Sequence, residues 1–261
     1  MIDTHCHITF DNYRGKVDEV LDNASRAGVT GVITVSTTTE SALMCLAMAN
    51  ERPNVWCTSG IHPLHSDEGP HDWKVIRHVA ASPRCVAWGE MGLDNHYDEP
   101  AKSVQLEALH TQLELIEATT DEIDKPIVLH CREAFDELIP ILRTTSIDPG
   151  RFVCHCFTGN PGDMRLLLDF GAMVSITGVV TYKNTPEVRE AVRLAPLDRI
   201  MVETDCPFLT PAPHRKIWPN EPKFARVTAE FIAELRGEPW DVFHSAINAN
   251  TERFYGIPSV H

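Results

Sequence analysis

Eight short apolar runs, spread along the whole chain, are the feature that most constrains its fold. Most are rich in β-branched residues and only a few residues long. Such runs are typical of strands buried on both faces of a parallel sheet. The predicted strands are residues 1–3, 31–35, 55–58, 85–88, 127–130, 152–155, 173–176 and 200–203.

Longer segments with helical spacing of apolar residues separate these runs. The predicted helices are residues 17–28, 41–48, 100–120, 163–170, 186–194, 222–235 and 239–250. Alternating strands and helices form either a closed barrel or an open doubly wound sheet. Eight units within about 250 residues favour a (β/α)8 barrel. We therefore expect residues 1–261 to form one α/β barrel domain, whose active site lies at the carboxyl ends of the strands.

The charge balance limits the kinds of partner. Lys and Arg number 23 and Asp and Glu number 37, which gives a formal net charge of −14. Tight non-specific binding to a phosphate backbone normally uses many basic side chains. The composition therefore argues against a DNA-binding module, but it is compatible with a hydrolase that binds nucleic acid locally with the help of a metal charge.

Several expectations concern the environment of the chain. No apolar run approaches the ~20 residues of a membrane helix, and the N-terminus lacks the basic and apolar regions of a secretory signal. We expect a cytoplasmic protein that does not bind membranes, and its eight cysteines to be reduced thiols. Nothing in the sequence indicates an obligate protein partner.

Histidines and carboxylates follow most of the predicted strands at their carboxyl ends. His5 and His7 are two positions apart, so both can point to one side of the first strand. One such histidine alone is more often a hydrogen-bonded core residue than a ligand. Several buried together without a cation would be very costly, so the set predicts a metal site. Its proposed ligands are His5, His7, Glu90, His130, His155 and Asp205.

The number of candidate ligands indicates two divalent metal ions. Four histidines and two carboxylates exceed what one tetrahedral zinc ion uses, and a carboxylate can bridge two ions. Paired metals activate a water and stabilise an in-line displacement at phosphorus. Mixed histidine and carboxylate ligands suit Zn, Mn or Fe and tolerate Mg, so the sequence leaves Zn, Mg and Mn open.

Six short motifs follow one another along the chain: DTHCH, GIHP, GEMGLD, HCR, HCFTG and ETDCPFL. Asn-Glu-Pro at 220–222 and Asn250, Arg253 and Phe254 continue the pattern, so it spans essentially the whole chain. Each motif alone is weak, but the ordered set is specific. It resembles the TatD family of metal-dependent deoxyribonucleases, within the amidohydrolase-like barrels.

The resemblance implies how the metal ligands are shared. His5, His7 and Asp205 would hold one ion, His130 and His155 would complete the site of the other, and Glu90 would be shared between the two.

The resemblance also implies roles in catalysis. Glu203 is similar to a residue near the reacting water or an extra metal, and strand alternation places it on the same face as Asp205. Asp205, a ligand next to that water, is the candidate general base. His62, Arg132 and Thr158 would contact phosphate.

The chain departs from the family at the rim of the predicted substrate site. Asn95-His96-Tyr97 replaces the usual aromatic pair after the fourth strand, and residues 214–219 lack the usual glycine. Arg215 and Lys216 in that loop could offset the acidic surface locally, and Trp218 could stack on a base. An ordinary exposed loop is an equally good interpretation.

Three kinds of function can be considered for this sequence. The resemblance implies a deoxyribonuclease of the 3′–5′ exonuclease type, with RNA as a further substrate. An alternative is an amidohydrolase-type enzyme that acts on a small ester, lactone, amide or phosphoester. Residues 85–93 contain no lysine that could be carboxylated to bridge metals, which disfavours one class of these enzymes. A non-enzymatic binding module would have lost ligands, but all six are present.

Overall fold

The computed structural model describes residues 1–257 and has eight strands, each followed by one or more helices. The strands are β1 Ile2–Cys6, β2 Gly31–Thr34, β3 Val55–Ser59, β4 Cys85–Asp94, β5 Ile127–Arg132, β6 Phe152–Cys154, β7 Met173–Ile176 and β8 Ile200–Val202. The α-helices are α1 Val17–Arg26, α2 Thr39–Glu51, α3 Trp73–Ala80, α4 Lys102–Thr119, α5 Phe135–Leu142, α6 Pro161–Phe170, α7 Pro186–Leu194, α8 Ala225–Arg236 and α9 Trp240–Tyr255.

The strands form one sheet in the order β1 to β8, and the pairs β1/β2, β3/β4, β4/β5, β5/β6 and β7/β8 are parallel. The predicted (β/α)8 barrel is confirmed. Most strand residues are buried, as expected for strands covered on both faces. Because the strands are parallel, their carboxyl ends lie at one edge of the sheet.

Two compact units can be distinguished within the described chain, and each contains strands that carry candidate ligands. The first unit comprises Met1–Thr34, Cys156–Arg165 and the residues from Val174 onward. The second comprises Val35–His155 and Leu166–Met173. Strands β1, β2 and β8 belong to the first unit, and β3 to β6 belong to the second.

In the first unit, β1 lies beside the segment that follows β8. The Asp205 amide donates to the His5 carbonyl at 2.9 Å, and the His7 amide donates to the Cys206 carbonyl at 2.8 Å. Cys6 and Cys206 form an isolated parallel bridge. These contacts join the first and last strands, and they place the two histidines next to the carboxylate at position 205.

In the second unit, β4 is longer than the predicted 85–88 and continues to residue 94. Glycines make this possible, because Gly89 has a φ of 110° and Gly92 a φ of 147°. A Cβ at Gly92 would lie 1.9 Å from the His130 carbonyl oxygen, and one at Gly89 would lie 2.4 Å from that of Val128. Only glycine allows the two backbones to approach this closely.

The helix predictions are confirmed at the level of existence, with two additions. Helices α3 and α5 lie in segments for which no helix was predicted. Both are eight residues long, and α5 contains Pro140, so their periodic signal is short or interrupted. The predicted helix 222–235 begins with a 3₁₀ turn, Pro222–Phe224, before α8.

Two further expectations concern cysteines and membranes. All eight cysteines are free thiols, as expected. Within residues 1–257, no helix combines the length and the apolar character that a bilayer crossing requires.

Candidate metal centre

The first unit brings together three of the predicted ligands, which we call the β1/β8 cluster: His5, His7 and Asp205. The His5 Nε2 and His7 Nε2 atoms lie 3.7 and 3.3 Å from Oδ1 of Asp205. The two histidines are buried, whereas the Asp205 side chain keeps 15 % of its surface exposed. The expectation that both histidines point to one place is confirmed. The cluster offers two imidazoles and a carboxylate that solvent reaches.

A buried carboxylate that the sequence analysis did not single out braces this cluster. Asp3 accepts hydrogen bonds from the Thr204 amide at 2.9 Å and from its hydroxyl at 2.6 Å. Burial raises the pKa of Asp3 well above its ordinary value, while the Thr204 hydrogen bonds oppose that shift. The side chain of Asp3 therefore anchors the residue before Asp205. Its position two residues before His5 on β1, and so on the same face of the strand, was the available sequence signal.

The expectation that Glu203 and Asp205 share a face rests on strand alternation, which does not reach these two residues. Strand β8 ends at Val202, and Asp205 has a φ of 54°, so the regular alternation stops before these residues. The Oε1 atom of buried Glu203 accepts a hydrogen bond from the Cys156 amide at 2.6 Å. Glu203 thus holds the start of the loop that follows β6.

The second unit brings together four predicted site residues, which we call the Glu90 cluster: Glu90, His62, His130 and His155. One carboxylate oxygen, Oε1 of Glu90, lies 3.1 Å from Nε2 of His62, 2.8 Å from Nδ1 of His130 and 2.7 Å from Nε2 of His155. Glu90 is only 1 % exposed. Imidazole nitrogens and a carboxylate oxygen therefore converge in a site from which water is largely excluded.

The tautomer of His62 follows from its contacts. Its Nδ1 atom accepts a hydrogen bond from the Leu64 amide at 2.9 Å, so the ring proton of the neutral imidazole is on Nε2. Burial lowers the pKa of His62 to about 4, which keeps this ring neutral at physiological pH. His62 therefore presents an N–H donor to the cluster rather than a lone pair.

The ring of His130 is oriented by Asp94, a further residue that the sequence analysis did not assign to the site. Nε2 of His130 lies 2.8 Å from Oδ2 of Asp94, whose Oδ1 accepts from the His96 amide at 2.9 Å. Asp94 is 1 % exposed and is the last residue of β4. A carboxylate that ends a buried strand, in the motif GEMGLD, was the sequence signal for it.

The contacts of His130 test whether the cluster suits a cation. With its Nε2 proton donated to Asp94, neutral His130 turns the lone pair of Nδ1 towards the Glu90 oxygen. Burial lowers the pKa of His130, but the hydrogen bonds to Asp94 and Glu90 outweigh it and the pKa is raised. A lone pair and a carboxylate oxygen at 2.8 Å require a cation between them, which either a proton on Nδ1 or a metal ion supplies. Two imidazoles around one carboxylate oxygen are a donor set that fits a divalent metal ion.

The other two predicted phosphate contacts are Arg132 and Thr158. The Arg132 guanidinium carbon is 5.2 Å from the centre of the Tyr97 ring, a cation–π arrangement at the end of β5. Thr158 is exposed in the loop after β6. The structure thus leaves both side chains accessible to a ligand.

Comparisons with known proteins identify the family of this chain. The sequence profile of the family described as TatD related DNase matches residues 2–256. The uncharacterized metal-dependent hydrolase YcfH of Escherichia coli K12 is 34 % identical over 260 residues, which cover 98 % of this chain and 96 % of YcfH. The protein named 3′-5′ ssDNA/RNA exonuclease TatD of Erwinia billingiae is 32 % identical over 265 residues, which cover 99 % of this chain and 100 % of that protein.

Solved structures of TatD family proteins are also similar to this chain. The TatD homologue YjjV of Escherichia coli K12 superimposes with a TM-score of 0.89 and 28 % identity, covering 99 % of this chain and 98 % of YjjV. A TatD family hydrolase of Entamoeba histolytica has a TM-score of 0.87 at 22 % identity, over 98 % of this chain and 97 % of that chain, and so supports the fold. The chain belongs to the TatD family and is a metal-dependent hydrolase that acts on ester bonds.

Proposed function

We propose that this chain is a nuclease that removes nucleotides from DNA in the 3′–5′ direction, with RNA as a further substrate. Two relatives at 32 % identity, both from Erwinia, carry the name 3′-5′ ssDNA/RNA exonuclease TatD. The observation that carries the proposal is the convergence of His130 Nδ1 and His155 Nε2 on one buried oxygen of Glu90. The donors are those of a cation site suited to phosphodiester chemistry.

We infer that residues 1–261 form a single domain whose active site lies at the carboxyl ends of the barrel strands. As the family resemblance implies, one proposed ion would be held by His5, His7 and Asp205 and the other by His130 and His155, with Glu90 as a proposed ligand of both. Two divalent ions, whether Zn, Mg or Mn, would supply a nucleophilic water at neutral pH and neutralise charge on the scissile phosphate.

His62 binds and orients the phosphate in this proposal. Because its Nδ1 accepts the Leu64 amide, its Nε2–H is fixed as a donor. A neutral donor held within a buried cluster can hydrogen-bond an oxygen on which negative charge develops, without reorganising during the reaction. Arg132 and Thr158 would add contacts to phosphates of the same strand, since both are accessible.

Asp205 is the proposed general base. Its side chain is the most exposed of the β1/β8 cluster, so a water can reach it. Asp205 would take up the proton of the attacking water on a carboxylate oxygen. Glu203 is the second acid group, proposed to act near the reacting water. Its hydrogen bond from the Cys156 amide fixes the orientation of its carboxylate.

The net charge of −14 restricts how nucleic acid can bind. Repulsion by the overall charge disfavours an extended footprint on a phosphate backbone. Binding is therefore proposed to be local, with a few nucleotides held at the metal centre and its rim.

Metal-stripped protein, resupplied separately with Mg, Mn or Zn, tests the proposal on 3′- and 5′-labelled single- and double-stranded DNA. We expect metal-dependent shortening from the 3′ end, reduced at least about 100-fold in Glu90→Ala. Glu114→Ala, which removes an exposed carboxylate of α4, is the matched control and should cleave as the wild type does.

Hydrolysis of bis(4-nitrophenyl) phosphate under the same conditions separates the outcomes. Cleavage of this small diester without any shortening of DNA would contradict the nuclease proposal, and would indicate a small-molecule phosphoester or related ester as the substrate.

A further inference from the structure

A row of three aromatic side chains leads outward from the β1/β8 cluster. The Phe10 ring stacks on His7, with centroids 4.8 Å apart and planes at 21°. Phe208 follows at 6.5 Å from Phe10, and Trp218 follows at 6.0 Å from Phe208. We call Phe10, Phe208 and Trp218 the aromatic row. It connects a proposed metal ligand to the protein surface within one compact unit.

These three rings do not stack face to face on one another. The planes of Phe10 and Phe208 meet at 78°, and those of Phe208 and Trp218 at 49°. Phe208 is 43 % exposed and Trp218 is 62 % exposed, with Ile217 beside it at 42 %. Neighbouring large apolar side chains left in water on one loop indicate a surface that is covered by a ligand.

The loop that carries the outer two rings is braced. The Thr210 hydroxyl donates to the Ile217 carbonyl at 2.9 Å and closes the loop on itself. Asn220, fully buried, donates from Nδ2 to the Phe208 carbonyl at 2.5 Å and from its amide to the Pro207 carbonyl at 2.9 Å. The backbone that carries the rings is therefore held in place before any ligand binds, which reduces the entropy lost on binding.

The charge of the loop differs from that of the chain as a whole. Residues 206–220 contain no Asp or Glu and include Arg215 and Lys216, in a chain of net charge −14. Both basic residues are exposed, and the Arg215 guanidinium lies 3.9 Å from the centre of the Tyr182 ring. The loop thus combines exposed rings with local positive charge, the pairing that binds single-stranded nucleic acid.

We propose that the aromatic row is a base-stacking track for a single strand of nucleic acid that enters the metal centre. Phe10 lies under the nucleotide next to the scissile phosphate, and Phe208 and Trp218 stack on bases further along the strand. The paired bases of a duplex are already stacked on each other, so the track selects unpaired ends. This inference rests on the proposed nuclease function, and it names Phe208 and Trp218 as residues that determine the preference for single strands.

The test compares two labelled strands of equal length, one with normal bases and one with abasic sites in place of its last three 3′ nucleotides. Each stacked base contributes enough binding for its loss to cost roughly 5- to 150-fold. We expect Trp218→Ala and Phe208→Ala each to lower the kcat/KM ratio of normal to abasic strand by at least about 5-fold. Trp218→Phe, which keeps a ring, should retain most of the ratio.

Leu194→Ala is the matched control. Leu194 is 43 % exposed, as Phe208 is, but it ends α7, and helices of such a barrel end at the amino edge of the strands. The control should leave the ratio unchanged. An unchanged ratio in both ring deletions, with DNA still cleaved, would overturn the track while leaving the nuclease proposal intact. Absence of DNA cleavage by the wild type would instead remove both.

A second measurement does not depend on catalysis. Single-stranded oligothymidylate should protect the wild-type protein from acrylamide quenching of tryptophan fluorescence, and should protect Trp218→Phe much less. Protection by anionic lipid vesicles but not by the oligonucleotide would overturn the inference in favour of a membrane-binding surface.

Discussion

Asp94 holds the Nε2–H of His130 at 2.8 Å, and this contact fixes which nitrogen of His130 faces Glu90. A carboxylate behind a ligating histidine sets both its tautomer and its ring orientation. The Asp94 carboxylate is itself fixed in position, because it accepts hydrogen bonds from the backbone amides of His96 and Tyr97. The residues after β4 thus set the geometry of the Glu90 cluster.

Replacing Asp94 with Asn should weaken metal binding about 10- to 100-fold, because the amide no longer accepts the His130 proton as strongly. Calorimetric titration of metal into the stripped variant measures the loss directly. Activity should return at high metal concentration. Asp98→Asn, which alters an exposed carboxyl group four residues further on, serves as the control. Equal affinity in Asp94→Asn and wild type would refute the orienting role.

Removing the side chain of His62 should separate catalysis from metal binding. In His62→Ala we expect kcat on DNA to fall about 10²- to 10³-fold, because a positioned donor to the phosphate is lost. Bound metal, measured by elemental analysis, should stay at the wild-type level, whereas His130→Ala should lose metal as well. If His62→Ala releases as much metal as His130→Ala, then His62 is a ligand and not a donor.

Gly92→Ala should be strongly destabilising. The added Cβ would lie 1.9 Å from the His130 carbonyl oxygen at a φ of 147°. We expect a loss of at least about 3 kcal/mol in the free energy of unfolding, measured by urea titration. Gly237→Ala is the matched control, since its φ is 68° and a Cβ there meets nothing within 4 Å. The free energy of unfolding of Gly237→Ala should fall by only about 1–2 kcal/mol. A comparable fall in the two variants would contradict the steric explanation.

Metal removal should lower thermal stability. A ligand present at about 100 times its Kd stabilises the native state by about 2.7 kcal/mol. For a chain of this size that corresponds to a fall in Tm of roughly 5–10 °C on chelation. Differential scanning fluorimetry with and without chelator gives the shift. Glu90→Ala should show a smaller one, and a full shift in that variant would place the bound metal elsewhere.

Much of the fold could be predicted from the sequence because its signals are local. Short β-branched runs and amphipathic segments identify strands and helices one at a time. Helices α3 and α5 were missed because eight residues give little more than two turns of periodicity. The far part of β4 was missed because Gly89 and Gly92 are usually signs of a break in a strand, whereas here they permit close approach to β5.

Some residues of the candidate site could be predicted from local sequence patterns, and others could not. His5, His7 and Glu90 could be found because they lie in recognisable motifs within or directly after strands. The roles of Asp3 and Asp94 depend on contacts with residues distant in the sequence, so local patterns did not reveal them. The relation of Glu203 to Asp205 could not be derived from strand alternation, because β8 ends at Val202 and Asp205 has a left-handed backbone conformation.

The hydrogen bonds between Asp3 and Thr204 join residues 201 positions apart. A ribosome that adds about 5–20 residues per second delivers the second partner roughly 10–40 s after the first. Throughout that interval the nascent chain carries His5 and His7 without Asp205. The β1/β8 cluster is therefore completed only after all eight strands have been synthesised, so the polypeptide cannot reach its catalytic state while β8 is still inside the ribosome.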